Sequence, residues 1–131
     1  MTTILIDHNM EGQAILLWNT LTKMGLPDLI SLEMVMFADI GLADNSNDRE
    51  VWRFAQVNRM FLLTDNRSDN EENSLEQTIR EENTQASLPV LTIGSLDRIK
   101  ERLYREKCAE RIAEIVLDME NYSGAGRIFV P

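Results

Sequence analysis

The sequence predicts an α/β fold in a single domain, with a parallel sheet held between two layers of helices. Three observations lead there. Short apolar runs alternate along the chain with segments of helical spacing, and strand–helix alternation implies parallel strands joined by right-handed crossovers. Two of those runs, TILID at Thr3–Asp7 and MFLLTD at Met60–Asp65, end in acids, and ligands of an open parallel sheet bind beyond the carboxyl ends of its strands. A length of 131 residues with 44% apolar and 27% charged residues suits one domain, residues 1–131, whose core needs no disulfide or structural metal.

Each element has its own signal. After the first strand, Gly12–Gly25 carries apolar residues at 14, 17, 18, 21 and 24, one face of a helix that glycine ends. Leu26-Pro27-Asp28 reads as a turn, and the partly alternating run Leu29–Phe37 as the second strand. Ala38–Asn47, rich in Gly, Asp, Asn and Ser, is a loop that closes on helix-capping residue types. Asp48–Arg59 is the next helix, with acids in its first turn and an arginine in its last, as the helix dipole favours. Met60–Thr64 is the third strand, followed by an acidic turn and a mostly polar helix over Ser74–Gln85 that Leu75 and Ile79 dock. Leu88–Ile93 is a fourth strand whose early proline is tolerated at a strand start. One long helix from Gly94-Ser95 to about Asn121 follows, with Ile99, Leu103, Cys108, Ile112, Ile115, Val116 and Met119 as its apolar stripe. Arg127–Val130 adds a fifth strand.

Composition narrows the function classes. No apolar run approaches the ~20 residues of a membrane span, and TILI has no basic segment before it and no cleavage site after it, so no secretory signal is expected. These features predict a cytoplasmic protein without membrane association. The lone Cys108 rules out an internal disulfide framework and a cysteine-rich zinc site, and reads as a core or boundary residue. A net charge of -9 opposes general attraction to nucleic acid, so an RNA partner requires a local basic strip acting within a Debye length of roughly 8 Å. Six bases fall within the last helix (Arg98, Lys100, Arg102, Arg105, Lys107 and Arg111), but three acids lie among them and Asp97 just before, and a face laced with ion pairs is the favoured reading. Arg49, Arg53 and Arg67 lie nearer the predicted site and are the better candidates for contacting phosphate.

If the first and third strands are neighbours, Asp7 and the turn holding Asp65 and Asp69 share one edge, and Asp48 opens the helix that starts there. Clustered carboxylates raise one another's pKa and need a cation or a proton to compensate. An oxygen-only donor set points to Mg²⁺ or Mn²⁺ rather than zinc, and such a site suits phosphodiester hydrolysis. His8 reads as an exposed loop histidine rather than a substrate contact, and Asn9 either caps the first helix or orients the site. Trp18 and Trp52 lie on helix faces and read as core rather than as stacking platforms.

The segments ILIDHNM and GLADNSNDREVWRFAQVNRMFLLTDNRSD resemble the PIN-like domains, which include the ribonuclease toxins of bacterial toxin–antitoxin pairs and a shorter group of prokaryotic proteins. The likeness spans most of the chain and implies a Rossmann-like three-layer fold. It implies that Asp7, Asp48 and Asp69 are metal-binding catalytic acids, with Asp65 a neighbouring ligand. Thr64 would support that turn, with Asn9 and Arg67 beside the substrate. It further implies a Mg²⁺- or Mn²⁺-dependent endoribonuclease acting on single-stranded RNA, an antitoxin protein as partner, and a homodimer. Two departures stand out. The chain is too short before Asp48 to include clearly the segment that carries the longer toxins' additional acid, a place to which Glu33, Asp39 and Asp44 are not assigned, and Asn70 follows Asp69 where the family commonly has Phe. The missing acid, with the net charge of -9, supports the alternative, a catalytically inactive relative serving as a protein-interaction or oligomerisation module. A receiver-like signalling domain would also gather acids at a sheet edge, but no adjacent acid pair lies near the first strand.

Overall fold

The computed structural model describes residues 1–131 and has five parallel strands. In chain order these are β1 (Thr2–Ile6), β2 (Leu32–Val35), β3 (Met60–Thr64), β4 (Val90–Ile93) and β5 (Arg127–Val130), arranged 2-1-3-4-5 across the sheet. The helices are α1 (Glu11–Lys23), α2 (Leu26–Leu29), α3 (Asp48–Val57), α4 (Leu75–Glu82), α5 (Arg102–Leu117) and α6 (Met119–Tyr122). This is the expected α/β sandwich with helices on both faces. No helix is long and apolar enough to cross a membrane.

Alternate strand residues feed two separate cores, because successive side chains leave a strand on opposite faces. Ile4, Ile6, Phe61, Leu63, Leu91, Ile93 and Val130 join Leu17 and Leu21 of α1 and Cys108 and Ile112 of α5. Leu5, Leu62 and Val90 point the other way, onto Val51, Trp52 and Ala55 of α3 and Leu75 of α4. The first core has 22 buried residues and the second 8, so the second face is thinly covered and stays open at its margins.

Besides α3 and α4, which end at Val57 and Glu82, short of the expected Arg59 and Gln85, three segments differ from expectation for a clear reason. The run Leu29–Phe37 is not all strand: Gly25, at φ +72, and Pro27 in the first turn set α2, Ser31 turns with φ 52, and only Leu32–Val35 pair with β1. Its far end becomes a 3-10 turn at Phe37–Ile40, whose Asp39 carboxylate accepts the Met36 N–H at 2.8 Å. The long helix is three pieces, a 3-10 turn at Leu96–Lys100, then α5 and α6, broken at Glu101 (ψ 123) and Asp118 (φ -124, ψ 39). Arg105 spans the first break, donating to Ile99 O at 2.8 Å and to Thr20 Oγ1 at 3.0 Å, and Leu103 is turned out to solvent. The fourth strand starts two residues late because Pro89 has no N–H for a ladder. The Gln56 side chain instead bonds both the N–H and the carbonyl of Leu88, at 3.0 and 2.8 Å.

Candidate functional site

Strands β1 and β3 are hydrogen-bonded neighbours, with Ile6 opposite Leu63 and Asp7 N–H donating to Leu63 O at 3.0 Å. In the order 2-1-3-4-5 the chain reverses direction of winding between these two strands, which is where a ligand crevice opens in a doubly wound sheet. A cavity of about 230 Å³ lies there, its polar wall formed by Asp7, His8, Asn9, Asp44, Ser46, Asp48 and Asn66 and its apolar wall by side chains including Phe37 and Leu62.

Asp7 leaves the end of β1 and is fixed by Thr64, a fully buried residue whose Oγ1 donates to Asp7 Oδ2 at 2.6 Å and accepts the Asn66 N–H at 3.0 Å. Burial pushes the Asp7 carboxyl above its ordinary value, and the charges of Asp48 and Asp65 add to that, while the Thr64 hydrogen bond and the His8 backbone hold it down. Asp48 enters from α3, whose start is set by Asn47: its side chain accepts the Glu50 N–H at 2.9 Å, and Glu50 accepts the Asn47 N–H at 3.2 Å, a reciprocal cap. Asp48 Oδ2 accepts from Asn66 Nδ2 at 2.9 Å and from the Leu75 N–H at 3.0 Å, which ties the first turns of α3 and α4 together.

Asp65 does not line the cavity; its Oδ1 lies 3.5 Å from Asn9 Nδ2. Asp69 is directed elsewhere. It pairs with Arg80 at 3.0 Å and lines a second cavity at the far side of the β3 turn. The expected convergence of all four acids is therefore corrected to Asp7 and Asp48 at the cavity, Asp65 within charge range, and Asp69 apart. The physical reason is that the turn after β3 is folded back by Asn66, which accepts the Ser68 N–H at 2.9 Å, and Asp69 is carried outward. No group of three or more His, Cys, Asp or Glu side chains stands close enough to enclose a metal ion.

Arg67 has no carboxylate partner; its guanidinium is 3.4 Å from Gly94 O and 5.8 Å from the centre of the Phe129 ring. Arg49 and Arg53, expected as candidates for contacting phosphate, are both paired with carboxylates. Arg49 is nearly buried and bonds Glu81, Glu82, Asn73 and the Glu72 carbonyl, and Arg53 forms a two-point pair with Glu82 at 2.8 Å. Arg53, and then Arg49, hold the Glu82 carboxyl down to about 2. His8 stands between Glu11 (3.3 Å) and Asp44 (3.5 Å) with its ring 5.6 Å from that of Phe37. Trp52 is buried in the second core, as expected, and Trp18 packs against the first.

Sequence reasoning missed Asn66 and Arg127. Asn66 bridges Asp48 to the β3 turn, and Arg127 holds that turn from β5 by donating to Asn66 O at 2.9 Å, to Thr92 Oγ1 at 2.6 Å and to Glu76. A lone arginine opening an edge strand carries no signal of this, since its partners are 35 to 61 residues away in the chain. Asn66 stood next to singled-out residues, and its Asn-x-Ser spacing is an Asx-turn signal that was legible. Compared with protein-family models, with curated proteins and with solved structures, the chain matches none.

Proposed function

We propose that this protein is a PIN-like, Mg²⁺- or Mn²⁺-dependent endoribonuclease that hydrolyses RNA phosphodiesters at the cavity between β1 and β3. The observation that carries the reading is the pair of carboxylates, Asp7 and Asp48, brought from separate elements into one cavity at the winding reversal, with Asp7 strained toward protonation by burial and by its acidic neighbours. Such an arrangement costs stability unless a cation answers it. Magnesium keeps several of its waters and commonly takes only one or two protein carboxylates alongside substrate phosphates. An oxygen-only pair thus fits a hydrated ion, though not an all-protein cage. When bound, such an ion would supply Lewis-acid charge against a phosphodiester oxygen and favour ionisation of water.

The chain's own residues would do the rest. Asp7 uses Oδ2 for Thr64, which leaves Oδ1 to accept a proton from the attacking water. Asp48, held by Asn66 and the α4 backbone, fixes the second charge in place. Water oxygen bonds to phosphorus as the P–O3′ bond breaks, the water's proton passing to Asp7 and the departing 3′ oxygen taking a proton from solvent, which leaves a 5′-phosphate and a 3′-hydroxyl. Asn9 orients Asp65 at the rim, and Arg67 takes substrate phosphate.

The test is calorimetric titration of Mn²⁺ into wild type and Asp7→Asn, with cleavage of mixed single-stranded RNA measured in the same buffer. Metal binding and cleavage by the wild type, both lost in a folded Asp7→Asn, are expected. Cleavage unchanged in the variant, or no binding by the wild type, would overturn the reading. A second reading, an inactive relative serving as an interaction or self-association module, is favoured by one set of observations: Asp69 is neutralised by Arg80, and Arg49 and Arg53 by Glu81 and Glu82. An antitoxin protein and a second copy of this chain are the partners each reading would draw on.

A further inference from the structure

We infer that the cavity lined by Arg67, Asp69, Glu76, Arg80, Arg127 and Phe129 is a nucleotide subsite, in which a base of a single strand stacks on Phe129 and its phosphate meets Arg67. Register alone aligns it with the acidic cavity. Asp7 follows Ile6, which lies opposite Leu63, so Asp7 is level with Thr64; Thr64 pairs with Thr92, and Thr92 with Phe129. Side chains at one level of a parallel sheet share a face. Asp7, Thr64, Thr92 and Phe129 therefore form one row across β1, β3, β4 and β5, about 14 Å long at the usual strand spacing.

The composition of that row is unusual for a covered sheet. Parallel sheets bury both faces under helices, yet α3 and α4 pack over β1, β3 and β4 and leave Phe129 44% exposed at the corner. Thr64 and Thr92 are fully buried hydroxyls in positions that otherwise hold aliphatic residues; one bonds Asp7 and the other Arg127. An exposed aromatic ring beside a cation is the pairing that holds single strands, since every base offers a π-face and every link a phosphate. The local charge is favourable despite the net -9: three arginines meet two acids. Arg127 and Glu76 are committed to each other, and Arg80 to Asp69, which leaves Arg67 without a carboxylate. Its contacts, with Gly94 O at 3.4 Å and with the Phe129 ring at 5.8 Å, are both weak, so it can swing to a phosphate at little cost and free the ring for a base. As the strand-holding arm of the nuclease proposed above, the subsite rests on that reading for its biological use, while binding itself is measured without cleavage.

The experiment is fluorescence anisotropy of a labelled hexauridylate in EDTA, for wild type, Phe129→Leu, Arg67→Gln and Asp7→Asn, each first shown to be folded by thermal unfolding. A parallel assay measures cleavage with Mn²⁺. Phe129→Leu is expected to weaken binding about tenfold, the worth of one stacked base. Arg67→Gln should reduce the slope of log affinity against log salt by about 0.7, one phosphate contact on a single strand. Asp7→Asn serves the cleavage arm, where it should lose cleavage with Mn²⁺. No binding by the wild type in EDTA, or Phe129→Leu and Arg67→Gln both within twofold of wild type, would overturn the subsite. The cleavage arm reads the other proposal separately: binding that depends on Phe129 with no cleavage by any form removes the nuclease reading and leaves the subsite standing.

Discussion

Replacing Asp48 with alanine tests whether one carboxylate both shapes the site and joins two helices. Oδ2 of Asp48 accepts two hydrogen bonds, from Asn66 Nδ2 at 2.9 Å and from the Leu75 N–H at 3.0 Å. Bonds to an ionised acceptor contribute about 1.5 to 3 kcal/mol each in favourable cases, and a buried N–H left unpaired costs about 1 to 3 kcal/mol. Leu75 is 1% exposed, so water does not replace the lost acceptor fully. Against this stands relief of the repulsion between Asp48 and Asp7. Asp48 is itself only partly buried, which places each term at the low end and gives a net loss of about 2 to 4 kcal/mol. At about 2.1 cal/mol/K per residue, the 131-residue chain unfolds with an entropy near 0.28 kcal/mol/K, so Tm should fall by about 7 to 14 °C. Asp48→Asn keeps an oxygen that can accept both bonds and should lose about 1 kcal/mol or less. Calorimetric or circular dichroism melts of the three proteins at neutral pH measure this. A Tm within about 2 °C of wild type for Asp48→Ala would refute the argument that this carboxylate ties α3 to α4.

Thr64→Val removes the hydrogen bond that holds the Asp7 carboxyl down; the Asp7 pKa should rise further above its wild-type position, read by carbon-detected NMR titration, and an unchanged or lowered value contradicts the assignment. Because the folded pKa of Asp7 is already above its ordinary 3.8, the folded state holds the proton longer than the unfolded chain, and this group's contribution to stability falls as pH rises through that window. Asp7→Asn should accordingly gain stability relative to wild type between pH 3.8 and neutrality, in urea melts at several pH values; a variant that loses ground over that range speaks against the sign. Gly124, at φ +84, would bring an added Cβ to 3.0 Å from Gln85 Cα and 3.2 Å from its carbonyl, so Gly124→Ala should destabilise by about 2 kcal/mol or more, with a Tm shift as readout. Cys108 is fully buried, donates its thiol to Val130 O at 3.5 Å, and has its pKa pushed up to about 12 by burial; a thiol reagent at pH 8 should label it only at the rate of unfolding, and fast labelling of the folded protein would show that α5 opens.

Local pattern determined much of this molecule. Met60–Thr64 is a strand with the predicted bounds because its apolar run is continuous and buried on both faces, and α3 starts at Asp48 because the Asn47 and Glu50 side chains cap it within three residues. Those are interactions between near neighbours, so their residue types are sufficient to reveal them. The placement of Asp7 after β1 and of Thr64 at the end of β3 follows likewise from their apolar runs, whereas the contact between them, across 57 residues, does not. Where the run Leu29–Phe37 broke, a helical turn and a 3-10 turn competed with a short edge strand that pairs on one side only, and apolar spacing does not separate those outcomes. Tertiary structure alone decided which acids meet. Asp48 reaches Asn66 and Leu75 across 18 and 27 residues, Arg127 reaches back 61 to Asn66, and Asp69 is turned toward Arg80 rather than Asp7. The row from Asp7 to Phe129 depends on strand register, which is set by packing of whole faces. A side chain's neighbours in such a sheet come from strands distant in the chain, and no spacing along the sequence encodes them.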